Sequence, residues 1–314
     1  MYKRMLVPLD GSELAEVVLP YANELAGRLD LDMVFLHVCS AHESQSLPMY
    51  QAYVEHAAET ARLQSREIQA KTGVQPGAKE VEARGEVAVG HPAEEIVRYA
   101  DENDIDLILM ATHGRSGVRR WVMGSVADKV LRASRVPIWL VRAGIPEQIV
   151  HDKWPERTML VLLDGSELAE SVLPHVEALA KQRGAELVDV VLLRVCEPPV
   201  IPSDYPADMP LTWEEHVKQI TDHVKQVAAH YLAGVAKRLT DAGLRVRSEV
   251  LMGQPADEII DYAEKNLSSL IVMATHGFSG ISRWEYGSVA NKVLHGASTP
   301  IFLVRPHKPN AGRD

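Results

Sequence analysis

Short runs that are apolar at nearly every position alternate along this chain with amphipathic stretches of helical period. In the first half the apolar runs predict strands at Arg4–Leu9, Met33–Val38, Lys79–Arg84, Ile105–Ala111 and Ile138–Arg142. Between them the 3.6-residue pattern predicts helices at Glu13–Arg28, Tyr53–Thr72, Ala93–Asn103 and Gly124–Ser134. Runs such as DLILMA and SLIVMA have no polar alternation, which suits strands covered on both faces. Strand alternating with helix reads as an α/β fold with a parallel sheet and right-handed crossovers. Pro92 and Pro255 fall where the first turn of a helix tolerates proline, and Glu94–Glu95 and Asp257–Glu258 favour its positive end.

The pattern is written twice. MLVPLDGSELAEVVLP from Met5 returns as MLVLLDGSELAESVLP from Met159, differing only at Pro8/Leu162 and Val17/Ser171. The stretch from Ala111 to Arg142 agrees with that from Ala274 to Arg305 at 20 of 32 positions. The offset between copies grows from 154 at Asp10/Asp164 to 163 at Ala111/Ala274, so the second copy carries nine extra residues. Units of this length are domains, expected at 1–143 and 158–306. The polar, proline-bearing segment 144–157 is a linker between them, and 307–314 a tail.

Composition removes whole classes of function. With 33 Lys+Arg against 43 Asp+Glu, the chain lacks the basic footprint of a general nucleic-acid binder. No apolar run approaches the roughly 18 residues of a membrane span, and the start does not read as a signal peptide. Two cysteines, Cys39 and Cys196, make neither a disulfide framework nor a four-thiolate zinc site, so a reducing cytoplasm is the expected setting.

In an open parallel sheet, ligands lie beyond the carboxyl ends of the strands. Three segments arrive there in each copy. The first strand ends at Asp10-Gly11-Ser12, or Asp164-Gly165-Ser166; such a carboxylate accepts hydrogen bonds from a ribose diol, or the pair merely caps the next helix. The fourth strand leads into Ala111-Thr112-His113-Gly114, nine residues, then Gly124-Ser125-Val126 opening a helix. Copy two repeats this as Ala274-Thr275-His276-Gly277, nine residues, then Gly287-Ser288-Val289. Glycines admit an anion to backbone N–H groups, and the helix start adds its partial positive charge. The second strand ends at Val38 or Val195, an apolar wall for a base.

These motifs resemble the universal stress protein family over nearly the whole chain, in the tandem arrangement of some members. The resemblance implies two doubly wound, Rossmann-like five-stranded domains of the adenine nucleotide alpha hydrolase type, docked through their last strands as a pseudo-dimer. Family members of the ATP-binding class carry Gly-x2-Gly-x9-Gly-Ser/Thr after strand four and an Asp after strand one. Carried over by motif, nucleotide contacts fall to Pro8, Asp10, Val38, Met110, Ala111, His113, Gly114, Gly124, Ser125 and Val126 in copy one. In copy two they fall to Asp164, Val195, Met273, Ala274, His276, Gly277, Gly287, Ser288 and Val289. The implied cofactor is ATP, or its ADP or AMP forms, with magnesium accompanying a triphosphate. The implied role is a nucleotide-dependent stress-response regulator or chaperone-like signalling module with no catalytic residues. The alternatives are a nucleotide-free interaction protein and a slow ATPase.

Two departures from the motif matter. Its first glycine is Ala111 or Ala274, harmless only if the backbone there keeps negative φ. Second, Pro8 is Leu162 in copy two, at a position near the adenine in ATP-binding relatives. Loop charge differs too, with Arg115, Arg119 and Arg120 in copy one aligned with Phe278, Ser282 and Arg283, so copy one is expected to grip triphosphate more tightly. His113 and His276 lack a carboxylate or nucleophile at motif spacing and read as loop-ordering or phosphate-bonding groups. His216, His223 and His230 recur every seven residues, too far apart to chelate one metal from adjacent positions, and read as a solvated or interface stripe. The cysteines read as small buried hydrophobes. Ser40–Ala52 and Glu197–Thr212 differ between copies and read as long loops, where partner contacts tend to lie. The second reads as a lid or docking surface or as a plain linker, and the partners expected are unidentified proteins and a second copy of the chain.

Overall fold

The computed structural model describes residues 2–71, 80–112, 123–142, 157–199, 213–276 and 286–306. The first half contributes strands β1 (Arg4–Pro8), β2 (Asp32–Cys39), β3 (Ala83–Val89), β4 (Leu107–Ala111) and β5 (Ile138–Val141). Its helices are α1 (Glu13–Glu16), α2 (Leu19–Leu29), α3 (Leu47–Lys71), α4 (Pro92–Glu102) and α5 (Ser125–Ala133). The second half repeats the order with β6 (Arg157–Leu162), β7 (Val188–Cys196), β8 (Arg245–Met252), β9 (Leu270–Ala274) and β10 (Ile301–Val304). Its helices are α6 (Glu167–Glu170), α7 (Leu173–Arg183), α8 (Trp213–Asp241), α9 (Pro255–Lys265) and α10 (Ser288–Gly296). β6 takes in Arg157, which the sequence pattern assigns to the linker.

Within each half the strands are parallel, in the order β3-β2-β1-β4-β5 and β8-β7-β6-β9-β10. The two sheets join into one of ten strands where β5 and β10 pair antiparallel, with Trp139 opposite Phe302. That pairing removes the two apolar edges which strands reading IWLV and IFLV would otherwise expose. The Trp139 and Phe302 rings meet edge to face at 5.9 Å between centroids. Tyr2, from the start of the chain, donates to His175 Nδ1 or accepts from it at 2.5 Å, and its ring meets Phe302 edge-on. The outer edges, β3 and β8, are guarded by charge, with Arg84 beside Glu86 and Arg247 beside Glu249. Among the described residues no helix is long and apolar enough to cross a membrane.

Three expectations are corrected, and a fourth lies beyond the described residues. The helix expected over Glu13–Arg28 is two, because Pro20 cannot donate to a continuing ladder; it sits in the first turn of α2, as Pro174 does in α7. β3 lies at Ala83–Val89 rather than 79–84: as an edge strand it lacks the unbroken apolar run that marks the inner ones. The segment Ser40–Ala52 is a capped 3-10 turn, Ala41–Ser46, followed by α3 from Leu47, with Pro48 tolerated in the first turn. Residues 200–212 of the other segment lie outside the described residues.

The long helices are also out of register. The buried stripe Tyr50, Val54, Ala57, Ala61 of α3 corresponds to Ala228, Leu232, Val235, Leu239 of α8, an offset of 178 rather than 154 to 163. α8 therefore begins well before its packed stretch, and on it His223 and His230 are exposed and His216 is half-buried.

The seam between the halves buries like charges. Arg183, at the end of α7, lies near Arg28 and Arg157, with Glu24 the acid that offsets them. Its Nε and Nη2 are buried without an acceptor among the described residues. Burial first, then Arg28 and Arg157, push its pKa down to about 10. Below that pH both folded and unfolded chains hold the proton, so the penalty is present in full at neutral pH and eases only as pH rises through 10. Arg183→Met, which keeps the apolar stem and removes the charge, is expected to raise the urea midpoint, worth about 1 kcal/mol or more. A lowered midpoint would contradict this account of the seam.

Candidate functional site

The strand order reverses between β1 and β4, and between β6 and β9, so a crevice opens at the carboxyl ends of those strands in each half. The first holds a cavity of about 380 Å³ and the second one of about 410 Å³, within the roughly 300–1,000 Å³ of small-molecule sites.

Of the residues expected in cleft one, Pro8, Asp10, Val38, Met110, Ala111, Gly124, Ser125 and Val126 line its cavity. In cleft two, Asp164, Val195, Met273, Ala274, His276, Gly287, Ser288 and Val289 do so. His113, Gly114 and Gly277 lie outside the described residues, as do the loop arginines Arg115, Arg119 and Arg120 and their counterparts.

At the first turn, capping and bracing are divided between two side chains. Ser12 Oγ accepts from Ala15 N at 3.2 Å and caps α1, while Asp10 Oδ1 accepts from Ser12 N at 3.0 Å and Ser12 Oγ at 2.6 Å. Asp164 and Ser166 reproduce the arrangement at 2.9 and 2.6 Å. The carboxylate is thus fixed at the mouth of the cleft before any ligand arrives. Glycine is required between the two: φ is +78° at Gly11 and +93° at Gly165, values that side chains avoid.

At the far wall, Gly124 N donates to Thr112 O at 2.8 Å and Gly287 N to Thr275 O at 3.0 Å, closing the base of each glycine loop. α5 and α10 start immediately after, with Gly124 and Gly287 in extended backbone and no side-chain cap. Their first N–H groups face the cleft with the partial positive charge of a helix start. Ala111 and Ala274 end β4 and β9 and are not among the positive-φ residues, so alanine costs nothing in backbone strain; its methyl narrows the cavity.

Several lining residues were not legible beforehand. Leu36, His37, Ser40, Glu43 and His91 enter cleft one, and Glu197 enters cleft two. His37 is buried, with Nδ1 2.9 Å from Leu9 O; a carbonyl only accepts, so Nδ1 carries the proton. Its ring stacks on Tyr50 at 4.1 Å. The equivalent position in copy two is Arg194, whose guanidinium lies 5.4 Å over the Tyr231 ring. Tyr53 donates to Glu16 at 2.8 Å behind the Asp10 turn. Burial first, then that bond and the nearby charges of Glu16 and Asp10, push its pKa up, so the phenol stays protonated. Among the described residues no three His, Cys, Asp or Glu gather to hold a metal.

The universal stress protein family model matches residues 1–142 and 156–305, and the chain belongs to that family. The universal stress protein Rv2005c of Mycobacterium tuberculosis is 24% identical over 310 residues, covering 96% of each chain. The universal stress protein MJ0531 of Methanocaldococcus jannaschii is 30% identical over 152 residues, 48% of this chain and 84% of its own. A crystal structure of a universal stress protein from Archaeoglobus fulgidus superposes with a TM-score of 0.61 at 19% identity, over 96% of this chain and 98% of that one; it supports the fold alone.

The Asp-Gly-Ser turn gives a direct check. A Cβ on Gly165 would lie 2.9 Å from Arg194 Nη1, on a backbone already at φ +93°. Gly165→Ala is expected to cost about 1–2 kcal/mol of stability, read as a lower denaturant midpoint. An unchanged midpoint would mean the turn relaxes freely and does not fix Asp164.

Proposed function

We propose that this universal stress protein binds an adenine nucleotide in each cleft and acts as a nucleotide-dependent stress-response regulator. The observation that carries the reading is the convergence, twice over, of a braced Asp, two strand ends and an uncapped Gly-Ser helix start on one cavity. Asp10 and Asp164 accept from the ribose hydroxyls. Val38 and Val195, with Met110 and Met273, pack the base. The first N–H groups of α5 and α10 and the hydroxyls of Ser125 and Ser288 hold phosphate. The resemblance to the ATP-binding class favours ATP over ADP or AMP. Magnesium would arrive with the triphosphate, held by phosphate oxygens and water rather than by a cage of carboxylates.

Regulation rather than turnover is favoured by the resemblance, whose implied site carries no catalytic residue. His276 Nδ1 lies 2.9 Å from Thr275 Oγ1, the side chain beside it in sequence, which suits ordering of the loop. The three arginines of the copy-one loop favour the more charged ligand there, so cleft one takes triphosphate more tightly than cleft two.

Calorimetric titration with Mg-ATP tests both parts. Wild type is expected to bind two equivalents, and Asp10→Ala and Asp164→Ala each to weaken its own site by about tenfold or more, the worth of hydrogen bonds to a charged group. Asp164→Ala should leave the tighter event. Equal affinities for the two intact sites would contradict the asymmetry, and no binding would contradict the nucleotide reading.

A further inference from the structure

The helices that open the two clefts each end against an arginine of the opposite half. Because β5 and β10 pair antiparallel, the two parallel sheets point in opposite directions. α5 runs back against its own strands, so its C-terminus reaches the end of the sheet where cleft two opens, and α10 does the converse. Each nine-residue helix spans only about 13 Å at 1.5 Å per residue. A cleft and its distant helix end are therefore separated by a short rigid rod.

Both far ends are held by an arginine of the other half. Arg305, which follows β10, donates from Nη1 to the carbonyl of Arg132 in the last turn of α5. Arg142, which follows β5, donates from Nη2 to the carbonyl of His295 in the last turn of α10. The two are equivalent at the repeat offset of 163, so the contact is reciprocal. Each arginine is tied to its own cleft: Thr275 N donates to Val304 O, and Thr112 N to Val141 O, both at 2.9 Å, one residue before the arginine. A cation on the last carbonyls also complements the helix dipole whose positive end faces the ligand.

One side carries a second link. Tyr286, the residue before the motif glycine Gly287, donates its hydroxyl to Asp128 O of α5 at 3.2 Å, and Arg132 lies 4.8 Å over its ring. Its counterpart in copy one is Met123, which has no such donor. The end of the cleft-two loop is thus anchored directly on the helix that opens cleft one.

We propose that the two clefts are positively coupled, with Arg305 and Tyr286 transmitting occupancy of cleft two to cleft one and Arg142 carrying the return path. The proposal rests on the nucleotide reading of both clefts. A ligand in cleft two fixes the ends of β9 and β10 and the approach to Gly287, and so fixes Arg305 and Tyr286. These hold α5, whose N-terminus then meets its own ligand already ordered, lowering the cost of the second binding event. Arg305 and Tyr286 act as positioning residues, since neither is among the residues lining either cavity.

A mutant cycle on Mg-ATP affinity tests this. Disabling cleft two with Asp164→Ala is expected to weaken cleft one about fivefold or more. Arg305→Met and Tyr286→Phe, each in the wild-type background, should weaken cleft one in the same direction. Combined with Asp164→Ala, each should add little further loss, because the message they carry is already gone. Arg305→Lys, which keeps a cation at the helix end, should recover part of the coupling. Equal weakening by Arg305→Met in both backgrounds would assign it a local structural role and overturn the coupling. Cleft-one affinity indifferent to Asp164→Ala would do the same while leaving the nucleotide reading intact. No nucleotide binding at either cleft would overturn both.

Discussion

The antiparallel pairing of β5 with β10 is the contact on which the rest of this structure depends. Each half alone ends in a strand buried on both faces and bare at one edge, a surface prone to association with any other strand. Pairing the two edges satisfies their backbone groups and packs Trp139 against Phe302. It also points the two sheets in opposite directions, so the clefts open at opposite ends of one ten-stranded sheet. The crossed contacts of Arg142 and Arg305 follow from that geometry. The buried arginine cluster at the seam is a place where the contact is less than optimal: Tyr2 bonds His175 on one side of the pseudo-twofold, whereas Arg28, Arg157 and Arg183 crowd together on the other.

Duplication fixes the shared framework and leaves room for divergence around it. The Asp-Gly-Ser turns match to within about 0.1 Å in their hydrogen bonds, because a positive-φ glycine and a capping serine allow little variation. Immediately behind them the halves part: His37 stacked on Tyr50 in one, the Arg194 guanidinium over Tyr231 in the other. Pro8 faces cleft one where Leu162 faces cleft two. The two clefts share the braced Asp turn and the Gly-Ser helix start and differ in the residues around them.

Much of this was legible in the sequence because it depends on local rules. The inner strands are legible from unbroken apolar runs, and the repeat marks the domains without reference to any structure. The described members of the expected site line the two cavities because a motif at a strand end has little freedom of placement. What escaped depends on tertiary context. The edge strand β3 has no pattern distinctive enough to place it, and the slide of α8 against α3 is set by packing that a pairwise alignment of the repeats hides. His37, Glu43 and His91 enter cleft one from separate elements, with no spacing that joins them. Tyr286 was overlooked although it adjoins the motif, because its meaning lies in Asp128, 158 residues away.

The central claim, two adenine-nucleotide clefts in one chain, is tested most directly by the small molecules that accompany the protein. Freshly purified chain is heat-denatured and the supernatant resolved by ion-exchange chromatography, with the quantity referred to protein concentration. The account predicts release of one to two adenine nucleotides per chain, or, from protein purified empty, a thermal shift with excess Mg-ATP worth about 2.7 kcal/mol at a hundred times the dissociation constant. No released nucleotide together with no thermal shift would contradict it.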